Sequence, residues 1–196
     1  MTFIPILYSF SSIDIFITIA DACAIMTSVT DILPVLLLVL TIVCALIQIF
    51  LRRRTMTCRS GVEVFLVWFL AIMVGVVGIW SFIGHTVFAT QVAESIGWPP
   101  GNPFQTEVAL TNLAFGVLGF LSVKIAGSFR LATIVGYTIF MVGAGIGHIY
   151  QYVVFSDTAP DNIGIPLYLD FIIPLVLCIL YYLTIREMGK ETTVPA

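Results

Sequence analysis

The sequence predicts an all-α fold, a polytopic transmembrane helix bundle with five spans and a candidate sixth at the N-terminus. Three observations predict it. The chain is 60% apolar and 10% charged, with a mean hydropathy of +1.11, whereas soluble domains carry about 25% charged residues. Several stretches run for close to twenty residues with few or no charges, the length a helix needs to cross a bilayer. All eight Lys and Arg residues fall in alternate connections between those stretches. One bundle of 196 residues leaves no room for a separate soluble domain. The expected organisation is a single transmembrane domain over 1–196, with an N-terminal apolar segment (1–31), a five-helix core (32–185) and a tail (186–196).

The N-terminal segment, residues 3–26, is long enough to span, but it contains Asp14 and Asp21. A charge near the bilayer centre costs ~2.5–3.5 kcal/mol on insertion scales. Seven residues apart, the two acids share a helical face. They either face the bundle or mark a helix lying in the interface. The segment lacks the positive n-region and small-residue cleavage site of a signal peptide.

The first span, Ile32–Leu51, is uncharged and stops at Arg52-Arg53-Arg54. The second runs from Val64 to His85 and the third from Glu107 to Val123, ahead of Lys124. The fourth covers Leu131–Val153, and the fifth Gly164–Ile185, before Arg186. All cations lie in the first loop, the third loop or the tail. Lys and Arg are retained on the cytoplasmic side. The expected location is therefore the cell membrane, multi-pass, with the C-terminus cytoplasmic and the loops holding Glu94 and Asp157 outside. Pro174 is expected to kink the fifth span. The segment "ESIGWPPGNPF" reads as a turn-rich cap.

Ile83-Gly84-His85 and Ile146-Gly147-His148 contain the only two histidines. Shifting the chain by 63 residues aligns them and also pairs Glu94 with Asp157, Gly101 with Gly164, Pro103 with Pro166 and Glu107 with Asp170. Each copy is an outward helix ending in Gly-His, a loop, and a Gly-x-Pro lead-in to a returning helix with an acid near its start. His148 lies ~7–8 Å inside its span at 1.5 Å per residue. Asp170 lies similarly deep, and His85 and Glu107 slightly shallower.

Intramembrane ionisable residues are functional candidates by default. His85, Glu107, His148 and Asp170 are the candidate ligands for zinc or iron. The spacing lacks the Glu-x-x-His pattern of di-iron bundles and every H-E-x-x-H variant. Equally, each histidine could hydrogen-bond a carboxylate and tie helices together, because a membrane cannot hydrate such groups. Haem between the two histidines ranks last. A small amphipathic ligand would be lined by Glu107, Asn112, His148, Gln151, Tyr168 and Asp170. If the hairpins are equivalent, His85→Ala and His148→Ala should have similar consequences.

Gly136, Gly143 and Gly147 form a stripe on the fourth span that suits close helix packing, within the chain, with a second copy or with another membrane subunit. Four scattered cysteines give no disulfide framework and no zinc knuckle. A net charge of −3 and a pI near 5.2 argue against nucleic acid as a partner. The P-loop, the G-x-S-x-G elbow and a voltage-sensor arginine series are absent.

The run Glu107, Asn112, Leu113, Ala114, Gly116, Leu118, Gly119 and the run Asn162, Gly164, Leu167, Tyr168, Asp170, Pro174 carry a resemblance. Over roughly Val64–Leu183 the chain resembles an uncharacterised prokaryotic family of small polytopic membrane proteins, a domain of unknown function. In general layout it is distantly similar to DoxX-like bundles. The resemblance implies a membrane bundle and supplies no activity. The leading functional expectation is a binding protein that holds a metal or a small amphipathic ligand in an outward-facing His/carboxylate pocket; the alternatives are a non-catalytic subunit or scaffold of a membrane complex and a membrane metalloenzyme.

Overall fold

The structure, a computed structural model, describes residues 12–191, with side chains described over 32–187 except at 58 and 59. Its elements are α1 (Ser12–Arg52), α2 (Cys58–Trp68), a π-helical segment (Phe69–Val76), α3 (Val77–Val87), α4 (Ala89–Ile96), α5 (Phe104–Lys124), α6 (Ser128–Phe155), α7 (Pro160–Ile163) and α8 (Ile165–Glu191). Among the described residues, five helices are long and apolar enough to cross a membrane, beginning with Ile32–Arg52 and ending with Pro160–Glu187. The chain is an all-α membrane bundle.

The second span is longer than the sequence suggested. It starts at Cys58 because Thr57 and Ser60 form a capping box, each side chain accepting the other's backbone N–H. At the N-terminus the backbone of 12–31 continues α1 without a break. The side chains of Asp14 and Asp21, on which the spanning-or-interfacial question turns, lie outside the described residues. The connection after α3 is partly helical: α4 occupies 89–96, and only residues 97–103 form the turn-rich piece. Pro174 is fully buried inside α8, which continues through it without a break.

Helix α1 is the peripheral member. Most of its apolar side chains from Ile32 to Leu51 face outward, and only Thr41 and Ala45 are buried. In lipid such exposure is no penalty, and contacts depend on small residues that let backbones approach. Thr41 returns its hydroxyl proton to the Leu37 carbonyl at 2.7 Å, so its burial leaves nothing unpaired. Trp68 adds a bond from its indole N–H to Gln48 at 2.7 Å, joining α2 to α1.

The second span changes neighbours along its length. Its first part, α2, packs against α8 and α1, and its last part, α3, packs against α5. The π-helical segment lies between them, closed by the Val77 N–H bonding to the Ile72 carbonyl, five residues back. The core gathers there, from Leu66, Leu70, Met73, Ile134, Ile173 and Leu177. Helix α5 approaches this span so closely that at the crossing a side chain would have no room. A Cβ on Gly119 would stand 2.6 Å from the Gly75 nitrogen and the Leu70 carbonyl oxygen. One on Gly78 would stand 2.7 Å from the Asn112 carbonyl oxygen and 2.8 Å from Gly116. By contrast Gly143 and Gly147 of α6 face open space. Of the α6 residues beside them it is Gly145 that packs closely, against Phe171 and the Cβ of Asp170.

At the end of the bundle that carries the cations, Arg130 is buried. Its Nη1 lies 2.7 Å from the Glu63 carboxylate, and its Nε–H donates to the Ser122 carbonyl at 2.8 Å. That carbonyl lies near the end of α5, where it lacks an intrahelical partner. One guanidinium therefore satisfies α5 and ties α6 to α2.

Candidate functional site

At the opposite end of the bundle each hairpin turns through a short helix. In the first, α4 ends at Gly97 in the left-handed region (φ +85°), with the Trp98 N–H reaching the Ala93 carbonyl at 2.8 Å. In the second, α6 ends at Ser156 (φ 55°). Asp157 then accepts the Ala159 N–H at 2.9 Å in an Asx turn, and Pro160 opens α7. Gly164 follows, where a Cβ would collide with the Pro160 carbonyl. Helices α4 and α7 touch, and the Asp157 carboxylate fills the space where a side chain on residue 97 would go.

Asn162, fully buried, organises the second hairpin. Its amide nitrogen donates to the Asp157 carbonyl at 2.9 Å and lies 3.4 Å from the His148 carbonyl. These two acceptors fix which end of the amide faces the ring, so Oδ1 receives the His148 Nδ1–H at 2.8 Å. With Nδ1 committed as donor, Nε2 faces the carboxyl of Asp170, 3.7 Å away. Asp170 is a buried acid, 5% exposed, in an apolar span, and the His148 ring is the polar group set opposite it.

The first hairpin is built differently. His85 has Gln105 for a neighbour, its Nδ1 3.4 Å from the amide nitrogen, and its ring lies 6.2 Å from that of Trp98. Gln105 is buried and donates to the Ala89 carbonyl at 2.7 Å. Glu107, in the position equivalent to Asp170, is exposed, and no described residue forms an ion pair with it. Asn112 bonds its own helix, to the Val108 carbonyl at 3.0 Å. Gln151 is half-buried and holds the turn through its backbone carbonyl, which accepts the Asp157 N–H at 3.3 Å. Tyr168 is 62% exposed.

The structure thus brings His148 and Asp170 together and leaves His85 and Glu107 out of that pair. Among the described residues, no three His, Cys, Asp or Glu side chains group closely enough to hold a metal ion. Sequence reasoning gave no role to Asn162 and Gln105, the amides that hold the two rings, although Asn162 stands in the run that carries the family resemblance. Both lie within the span of the doubled pattern, but neither has a matching amide in the other copy, so a search for repeated ionisable residues passed over them.

No curated protein and no solved structure matches the chain significantly, and the DoxX-like layout has no counterpart among the matches. A family model covers residues 31–190, from the first span to the last turn of α8. The chain belongs to that family, DUF6790, a family of unknown function.

Proposed function

We propose that this protein is a non-catalytic subunit or scaffold of the cell membrane, with its histidines serving as staples between helices. The observation that carries this reading is the closure of the His148 network on itself. The ring's Nδ1 side, the Asn162 amide and the Asp157 turn satisfy one another across α6, α7 and the intervening loop, while Asp170 of α8 stands 3.7 Å from the ring's other nitrogen. On the Nδ1 side such a network fixes helix ends without an outside ligand. Of the Gly136/Gly143/Gly147 stripe, Gly136 already lies against Phe115 of α5, so it is the open Gly143/Gly147 part of α6 that would take a membrane helix, from a second copy or another subunit. The alternation of cations supports an orientation with the C-terminus cytoplasmic and the histidines toward the outside.

A second reading, a binding site for zinc, iron or a small polar group, is favoured by one observation. The gap between His148 Nε2 and Asp170 exceeds hydrogen-bond reach, so a ligand could bridge them. Glu107, Asn112, Gln151 and Tyr168 could then contribute only toward the surface of the bundle.

Elemental analysis of untagged protein, alongside His148→Ala, separates the two. The scaffold reading expects no stoichiometric metal in either protein and a lower melting temperature in the variant. Near-stoichiometric zinc or iron that disappears in His148→Ala would overturn it in favour of the binding site.

A further inference from the structure

We propose that the groove between α1 and α2 at the cation-bearing end of the bundle binds an anionic phospholipid. The groove has a volume of about 330 Å³ and is lined by Cys44, Ile47, Gln48, Leu51, Arg52 and Trp68. Cys44, Ile47 and Leu51 recur at helical spacing on one face of α1 and form an apolar track about 10 Å long. Inside it the Trp68 indole N–H is satisfied by the Gln48 amide oxygen. What remains of the interior is suited to a hydrocarbon chain.

The mouth of the groove has the opposite character. Arg52 closes it, and Arg53 and Arg54 follow at the helix end, all three exposed. No described acid forms an ion pair with any of them. The one acid on α2, Glu63, is engaged by Arg130. Arg53 instead lays its guanidinium 4.1 Å from the centre of the Phe50 ring, which is itself 62% exposed. The ends of the first two spans thus place an apolar track at acyl-chain depth and unpaired guanidinium groups at headgroup depth. A phosphodiester headgroup with its chain running toward Cys44 matches both. A zwitterionic lipid would place a second cation beside Arg52, and a water-soluble anion would leave the track unused.

The test uses the full-length protein with Trp80→Phe and Trp98→Phe, so that Trp68 alone reports. The protein is placed in phosphatidylcholine vesicles containing a small fraction of lipid brominated on its acyl chain. Quenching by brominated phosphatidylglycerol should exceed that by brominated phosphatidylcholine with a preference of about fivefold for one engaged arginine. Arg52→Gln should bring that preference toward unity. Cys44→Phe keeps every cation and so preserves the charge pattern that sets orientation, but it fills the track and should also lower the quenching. Equal quenching by the two lipids would overturn the proposal, as would a preference unchanged in both variants. Displacement of the brominated lipid by glycerol phosphate alone would assign the site to a free anion and overturn the lipid assignment.

Discussion

Gly119→Ala tests whether close backbone contact holds the second span against α5. The added Cβ would lie 2.6 Å from the Gly75 nitrogen and the Leu70 carbonyl oxygen, and 2.9 Å from the Gly75 Cα. All three are backbone atoms, so no rotamer change relieves the clash, and one helix must move by about 1 Å to restore normal separation. Overpacking of this kind costs ~1–3 kcal/mol, and immovable neighbours put this site at the upper end. Replacing Gly by Ala within a helix returns about 1 kcal/mol. The net loss is about 2 kcal/mol, or roughly 4–8 °C in melting temperature for a chain of this size. The assay is thermal unfolding in detergent followed by intrinsic fluorescence. Gly61→Ala is the control, because nothing lies within 4 Å of the new Cβ; it should leave the melting temperature level or slightly higher. If Gly119→Ala melts with or above the parent protein, the backbone-contact argument fails.

Asn162→Ala should cost about 2–4 kcal/mol in the same assay, since it strands the His148 ring and the Asp157 carbonyl in a buried site. His148→Ala should destabilise more than His85→Ala, by about 1–2 kcal/mol, because His85 has only a 3.4 Å approach to Gln105; equal losses would restore the equivalence expected from the doubled pattern. Arg130→Ala should cost about 2 kcal/mol, less than the ~3–5 kcal/mol of a fully buried pair, because Glu63 is 37% exposed and can be rehydrated. Arg130→Lys should recover little of this, because a single ammonium lacks the fork that reaches the Ser122 carbonyl from Nε and the Glu63 carboxylate from Nη1.

Hydropathy and charge alternation were enough to locate all five spans, because a bilayer imposes length and polarity on each one separately. The His148–Asp170 partnership was also legible, since an acid and an imidazole at one depth of an apolar bundle have few alternatives. Its counterpart at His85 and Glu107 was not. Depth along the membrane follows from counting residues, but the direction in which a side chain points depends on helix rotation, and here Glu107 turns outward. Arg130 was counted with the topology-setting cations, although the end of α5 buries it against Ser122 and Glu63. The glycine stripe drew attention to Gly143 and Gly147, yet the tight crossing belongs to Gly75, Gly78, Gly116 and Gly119. Which glycines are used depends on which helices become neighbours, and one helix's sequence does not contain that information.

The π-helical segment gives the doubled pattern a second, offset half. Four buried residues early in the second span, Leu66, Phe69, Leu70 and Met73, have buried counterparts 64 positions later in Arg130, Thr133, Ile134 and Tyr137. Met73 and Tyr137 even meet, the hydroxyl 3.5 Å from the carbonyl. Beyond the segment the two Ile-Gly-His stretches are 63 apart. Aligned on those four positions, the second span has one more residue than α6 before its Ile-Gly-His stretch, in an interval that the π turns overlap, while α6 runs through the matching stretch as ordinary α-helix. In a straight α-helix an added residue would rotate everything downstream by about 100°, carrying Gly78 away from α5. A wider turn takes up the insertion locally, so both halves of the span keep their partners. An ungapped comparison loses the repeat at this point, although the buried faces continue through it.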